Sequence, residues 1–137
     1  MENKVSDMKL EDMSEQDRLE FENQLEAKYP KMFVHKYGGL DIGPGWYQLI
    51  EALCARIQSH IDWKEKQGDP IEQVTIDQIK EKFGTLRFYY SGGDEYISGL
   101  TVMAEAVSAY TCETCGDRGS VGGRGWIKTL CERHRMP

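Results

Sequence analysis

Near the C-terminus the chain reads "TCETCGDRGSVGGRGWIKTLCERH", Thr111 to His134, and this stretch holds three of the four cysteines. Cys112 and Cys115 form a C-x-x-C, and Cys131 with His134 forms a C-x-x-H after 15 intervening residues. Thiolate and imidazole are the donors a tetrahedral zinc ion prefers, and two residues between paired ligands let both side chains turn toward one ion. The spacing of the two pairs is that of a zinc ribbon or finger. The expected centre is therefore Cys112, Cys115, Cys131 and His134 around Zn2+. With four protein ligands no position stays open for water, so the zinc is expected to be structural. Gly116 stands where a tight turn can aim backbone N–H groups at sulfur. Thr129 and Leu130 lead into Cys131 as a short strand would, and Trp126 is expected to cover the ion.

A thioredoxin-like redox pair is the competing reading of C-x-x-C. It places the pair at the start of a helix after a strand, whereas here the pair follows a helical pattern and a second ligand pair is present. Cys54 falls beside the apolar face of a helix and reads as a buried thiol. His35 and His60 have no partner at ligand spacing and read as surface or boundary residues. The chain contains neither G-x-S-x-G nor G-x-x-x-x-G-K-[ST], and no pair of carboxylates sits in an apolar context. The glycine-rich "GGLDIGPG" has no Lys, Ser or Thr placed to hold phosphate and reads as a turn. An enzyme is not expected.

The elements that must position these residues follow from periodicity. Residues 1–12 are polar, without a clear period, and read as mobile. Ser14 with Asp17 forms a capping box, and Leu19, Phe21, Leu25 and Tyr29 predict a helix over about 14–28, which Pro30 ends. "KYGGLDIGPGW", Lys36 to Trp46, reads as a loop whose Pro44 suits the first turn of the next helix. Trp46, Leu49, Ile50, Leu53, Ile57 and Ile61 line one face of that helix. Val74 and Ile76 alternate with polar residues, as do Leu86, Phe88 and Tyr90, so two antiparallel strands are expected to join near Lys82-Phe83-Gly84. The far end of the first strand is ambiguous, because Ile79 and Phe83 also fit a helical turn. Asp94 caps a third helix, along which Ile97, Leu100, Met103, Ala104, Val107 and Tyr110 keep a helical period.

These readings predict an α+β fold: helices packed on a small antiparallel hairpin or sheet, with a zinc-ribbon-like subdomain at the C-terminal end. The expected divisions are an acidic segment with a helix (1–30), an α+β core (31–110) and the ribbon (111–137). The helices over Trp46–Ile61 and Asp94–Tyr110 are expected to bury their apolar faces against Leu86, Phe88 and Tyr90. Zinc compensates for the thin hydrophobic content of the glycine-rich tail.

A chain of 137 residues with 39% hydrophobic and 29% charged residues is one ordinary globular domain. No signal-peptide core and no apolar run of transmembrane length are present, which leads to the expectation of a reducing cytoplasm and no membrane partner. The net charge of −6 comes entirely from residues 1–26, where nine acids face Lys4, Lys9 and Arg18; the remainder carries 14 acids and 14 bases. Such a segment repels nucleic acid and favours a basic protein surface. From residue 111 onward, Arg118, Arg124, Lys128, Arg133 and Arg135 outnumber Glu113, Asp117 and Glu132. With Trp126 they make nucleic-acid binding the alternative expectation, although three thiolates and Zn2+ together return about one negative charge. In "TLRFYY" the strand face bearing Arg87 and Tyr89 is left for a partner. The expected partner surface is thus Arg87, Tyr89, Arg124, Trp126 and Lys128.

Taken together and in this order, "DIGPGWYQLIEALCARI", "IDQIKEKFGTLRFYYSGG" and "CETCGDRG…GWIKTLCERH" resemble a group of small proteins encoded by bacteriophages, prophages and bacteria that carry a C-terminal zinc-ribbon-like cluster. The resemblance covers about residues 40–134. It implies Cys112, Cys115, Cys131 and His134 as metal ligands and implies no activity. Small size, acidic character and this resemblance lead to the expectation of a non-enzymatic, protein-binding module, a small intracellular inhibitor of the kind phages use against host defence or bacteria use as immunity proteins.

Overall fold

The structure is a computed structural model, and it describes residues 8–35 and 38–135. The expected mobility of the N-terminus therefore falls outside the described residues for 1–7, as do Lys36 and Tyr37 of the expected loop. Among the described residues three helices, α1 (Glu15–Lys28), α2 (Tyr47–Lys66) and α3 (Glu95–Ser108), accompany a three-stranded sheet and a two-stranded ribbon. The fold is α+β, and the Cys/His cluster lies near its C-terminal end.

Local chemistry sets the helix starts. Ser14 Oγ accepts from the Asp17 N–H at 3.1 Å and Asp17 Oδ2 accepts from the Ser14 N–H at 3.0 Å, the reciprocal capping box that opens α1. Just before it, Leu10–Asp12 form a 3-10 turn, so the later part of the segment read as mobile is ordered. A second 3-10 turn over Pro44–Trp46 leads into α2, with Pro44 in the first turn as its missing N–H allows. Asp94 Oδ1 accepts from the Ile97 N–H at 3.1 Å and caps α3.

One hydrophobic cluster runs from Met13, Phe21, Leu25 and Tyr29 through Trp46, Ile50, Leu53, Ile57 and Ile61 of the second helix to Val74, Ile76, Ile79, Leu86, Phe88 and Ile97. The described part of the acidic segment belongs to it: the Phe21 ring stacks on Tyr47 at 4.4 Å between centroids.

The sheet differs from expectation in two respects. Leu40–Asp41, read as loop, forms a short strand β1 that pairs in parallel with Ile79 and Lys80 of β2 (Thr75–Lys82), so the sheet is mixed rather than purely antiparallel. The ambiguous end of β2 is resolved by a bulge. Between Ile76 and Gln78 the pairing with β3 (Thr85–Ser91) shifts by one residue, so Ile76 and Ile79, three apart, both face the core. Ile79, read with Phe83 as fitting a helical turn, is in the strand, and Phe83 lies in the turn that follows it.

α3 departs most clearly. Its buried residues are Ile97, Thr101, Ala104 and Ser108, while Met103, Val107 and Tyr110 are exposed. The cause lies in β3, an edge strand with outward-facing N–H groups. Ser108 Oγ accepts from the Leu86 N–H at 2.9 Å, and Glu105 Oε2 accepts from the Phe88 N–H at 3.0 Å. α3 therefore turns polar side chains to the strand edge, and part of its apolar stripe rotates outward.

Phe83 and Gly84 form the two-residue β2–β3 turn, with φ of 54° and 86°. Left-handed backbone at both positions is the hairpin geometry that favours Asn-Gly, and Phe is strained there. The Phe83 side chain is 66% exposed, so it offsets little of that strain by packing. Phe83→Asn is expected to raise unfolding stability by about 1 kcal/mol, measured by urea denaturation with an unchanged m-value; a loss of stability would contradict the reading.

Candidate metal centre

Four donor atoms converge at the C-terminal end. Cys112 Sγ, Cys115 Sγ, Cys131 Sγ and a ring nitrogen of His134 all lie within 4.8 Å of one another. Cys115 Sγ and Cys131 Sγ are 3.7 Å apart, and His134 Nδ1 is 3.7 Å from Cys112 Sγ and 3.2 Å from Cys131 Sγ. Around an ion with metal–sulfur bonds near 2.3 Å, the edge of a tetrahedron is about 3.8 Å. The sulfurs are free rather than joined, since a disulfide would hold them at about 2.05 Å. The donor set fits a tetrahedral metal ion, and the residues expected to hold one are brought together.

Two turns present the ligands. After Cys112 the chain folds back so that the Gly116 N–H donates to the Cys112 carbonyl at 2.9 Å, with Gly116 at φ 86°. The Asp117 N–H then points at Cys115 Sγ at 3.5 Å. At the second pair, the His134 and Arg135 N–H groups both donate to the Cys131 carbonyl. Strands β4 (Ser120–Gly122) and β5 (Lys128–Leu130) pair in an antiparallel ribbon between the two turns. Trp126 is 75% exposed on the loop between the strands.

The thiols differ in electrostatics. Burial works to raise Cys112, but the backbone N–H groups of Cys131, Cys115 and Thr114 outweigh it and bring the thiol down to about 6. Burial and the two neighbouring sulfurs push Cys115 up to about 12. A divalent ion held among the sulfurs would favour their thiolate forms.

The tail is seated on the loop before α2. The Gly45 N–H donates to the Glu113 carbonyl at 2.7 Å, and Trp46 Nε1–H donates to the Thr111 carbonyl at 2.8 Å. A Cβ on Gly45 would stand 2.0 Å from the Cys112 carbonyl oxygen, and one on Gly43 would stand 2.3 Å from that of Glu113. The glycines read as turn formers are thus required for backbone-to-backbone approach.

A buried polar tie adds to this seat. Glu113 Oε2 accepts from the Gly43 N–H at 2.9 Å, and Lys128 Nζ lies 3.1 Å from Glu81 Oε1 and 3.6 Å from Glu113 Oε1. Burial pushes the Glu113 carboxyl up against the pull of Gly43 and Lys128, whereas Glu81 and Glu113 hold Lys128 charged against its own burial. The sequence offered no signal for this tie, since Lys128 and Glu81 are 47 residues apart. His60, read as a surface or boundary residue with no partner at ligand spacing, places Nε2 2.9 Å from Asp94 Oδ2 and stacks on Tyr96. Cys54 is buried as expected, and burial pushes its thiol up to about 12.

The residues expected to meet a partner are scattered in character. Tyr89, Arg124 and Trp126 are exposed. Arg87 is half-buried and its Nε has no hydrogen-bond partner. Lys128 is half-buried and engaged with Glu81 and Glu113. Arg133 contacts Glu11 and Asp117, and Arg135 donates to the Ser120 and Lys128 carbonyls.

Gly45→Ala is expected to unseat the tail, lowering stability by about 1–3 kcal/mol or more and weakening metal retention against a chelator. Calorimetry and metal analysis after dialysis check both; unchanged retention would contradict the seating role. Comparison with known protein families, with curated proteins and with solved structures found no match to this chain.

Proposed function

We propose that this protein is a non-enzymatic, zinc-containing protein-binding module, a small intracellular inhibitor of the phage anti-defence or bacterial immunity type. Three thiolates and one imidazole suit Zn2+ over harder cations, and a closed set of four protein donors suits a structural role. The resemblance to phage- and prophage-encoded proteins motivates the setting. Among the described residues no helix is long and apolar enough to cross a membrane.

The observation that carries the binding reading is the outer face of α3. Val102 and Met103 are 63% and 64% exposed, Tyr96 and Val107 are also open, and Tyr110 in the turn just after the helix is 67% exposed. Between Glu95 and the end of the helix the only charged residue is Glu105, which turns to the β3 edge. A long uncharged surface on an acidic protein is costly for solubility alone and is the composition of an interface core. The partner contact is therefore centred on α3, with Tyr89, Arg124 and Trp126 as further exposed candidates. Nucleic-acid binding through the ribbon is the second reading. The engagement of Lys128, Arg133 and Arg135 within the chain weighs against it, since a phosphate would have to displace those contacts.

The test replaces apolar surface with charge. Val102→Glu/Met103→Glu is expected to keep the melting temperature and metal content while weakening partner capture from bacterial extract by at least about tenfold. Absence of a stoichiometric protein partner, or equal capture by the variant, would contradict the proposal. A concentration-dependent dimer abolished by the same variant would assign the face to self-association instead.

A further inference from the structure

Glu11 belongs to the acidic segment, outside the stretch that carries the ligands, yet its carboxylate lies against the cluster. Glu11 Oε2 is 2.8 Å from His134 Nε2, with both side chains largely shielded from solvent. The other ring nitrogen, Nδ1, is the one that faces Cys112 and Cys131. A neutral imidazole that coordinates through Nδ1 carries its proton on Nε2, and Glu11 is placed to accept that proton's hydrogen bond.

The carboxylate is itself held in place. Arg133 Nη1 donates to both of its oxygens, at 3.1 and 2.9 Å, which fixes the carboxylate plane. Glu11 sits in the Leu10–Asp12 turn, closed by the Met13 N–H donating to the Leu10 carbonyl, immediately before the Ser14 cap of α1. Beside it, Leu10 Cδ1 lies 3.2 Å from where a Cβ of Gly116 would stand, so the turn packs on the first ligand turn as well. Arg133 also offsets the charge that a carboxylate adds beside three thiolates and a divalent ion.

We infer that Glu11 is the outer-sphere carboxylate of the metal centre: it fixes the tautomer and ring orientation of His134 and couples metal occupancy to docking of the N-terminal segment. The inference rests on the reading of the cluster as a metal site. Coupling is reciprocal, so a bound ion holds the segment down to the same degree that the segment strengthens the ion's hold. The acidic segment is thereby part of the centre.

The test uses the full-length protein and Co2+ as probe, with Zn2+ for the diamagnetic measurements. In chelator competition Glu11→Ala is expected to weaken Co2+ binding by about 10–100-fold, and Glu11→Gln, which keeps an acceptor oxygen, to restore most of it. In the Zn2+-loaded protein, nitrogen NMR is expected to show His134 protonated at Nε2 in the wild type and in E11Q, with that signal broadened by exchange in E11A. Amide exchange over residues 9–13 is expected to slow on Zn2+ addition in the wild type and in E11Q, and to stay unchanged in E11A. Co2+ affinity of E11A within about twofold of wild type, with unchanged His134 signals, would overturn the inference while leaving the metal site intact. Absence of cobalt–thiolate absorption in the wild type would overturn the metal site itself.

Discussion

A tetrahedral donor set demands four atoms about 3.8 Å apart, and a glycine-rich tail cannot hold them there from its own resources. Within the ribbon and its turns, few side chains are buried; Thr129 and the ligands Cys112 and Cys131 are among them. The constraint on which the rest depends is therefore the close approach of the Cys112–Glu113 backbone to Gly43 and Gly45. Only residues without a Cβ permit it. From this contact the neighbouring arrangements follow. Trp46 is buried beneath the seat and reaches Thr111, and Glu113 accepts from Gly43. Lys128 is drawn to the junction of ribbon and hairpin. The Cys/His cluster is an extension of the core by way of backbone, and an ion held there would close what the hydrophobic effect leaves open.

A second economy is visible in α3. Edge strands expose N–H groups that invite aggregation, and proteins cover them. Here a helix does so with Ser108 and Glu105, which satisfies β3 but turns polar side chains inward. Helical geometry then sends Val102, Met103 and Val107 outward. The uncharged outer face is thus partly a geometric consequence of covering the strand. That it consists of large apolar residues, when polar ones would serve the strand equally well, is what supports a binding role.

Much of this was legible in local sequence. The capping box at Ser14, Pro44 at a helix start, the apolar face of Trp46–Ile61, Asp94 as a cap and the paired C-x-x-C and C-x-x-H are all determined by neighbours within a few residues. The misreadings have separate physical origins, of which a long-range polar contact is one. The phase of α3 was taken from its apolar residues, whereas the partner of Ser108 is a backbone N–H on another strand. The parallel strand Leu40–Asp41 has no periodicity because it is two residues long. Ile79 and Phe83 fitted a helical turn because the strand ends at Lys82 and Phe83 already belongs to the hairpin turn. Trp126, expected to cover the ion, is largely exposed on the loop between the ribbon strands. Glu11 was one acid among nine in its segment, and its relation to His134 depends on the folded chain alone.

The central claim is that these four side chains form one closed metal centre. X-ray absorption spectroscopy of the metal-loaded, full-length protein tests it most directly. The account predicts a four-coordinate ion with three sulfurs at about 2.3 Å and one nitrogen at about 2.0–2.1 Å. A first shell containing a water oxygen in place of the imidazole, or only two sulfurs, would contradict it.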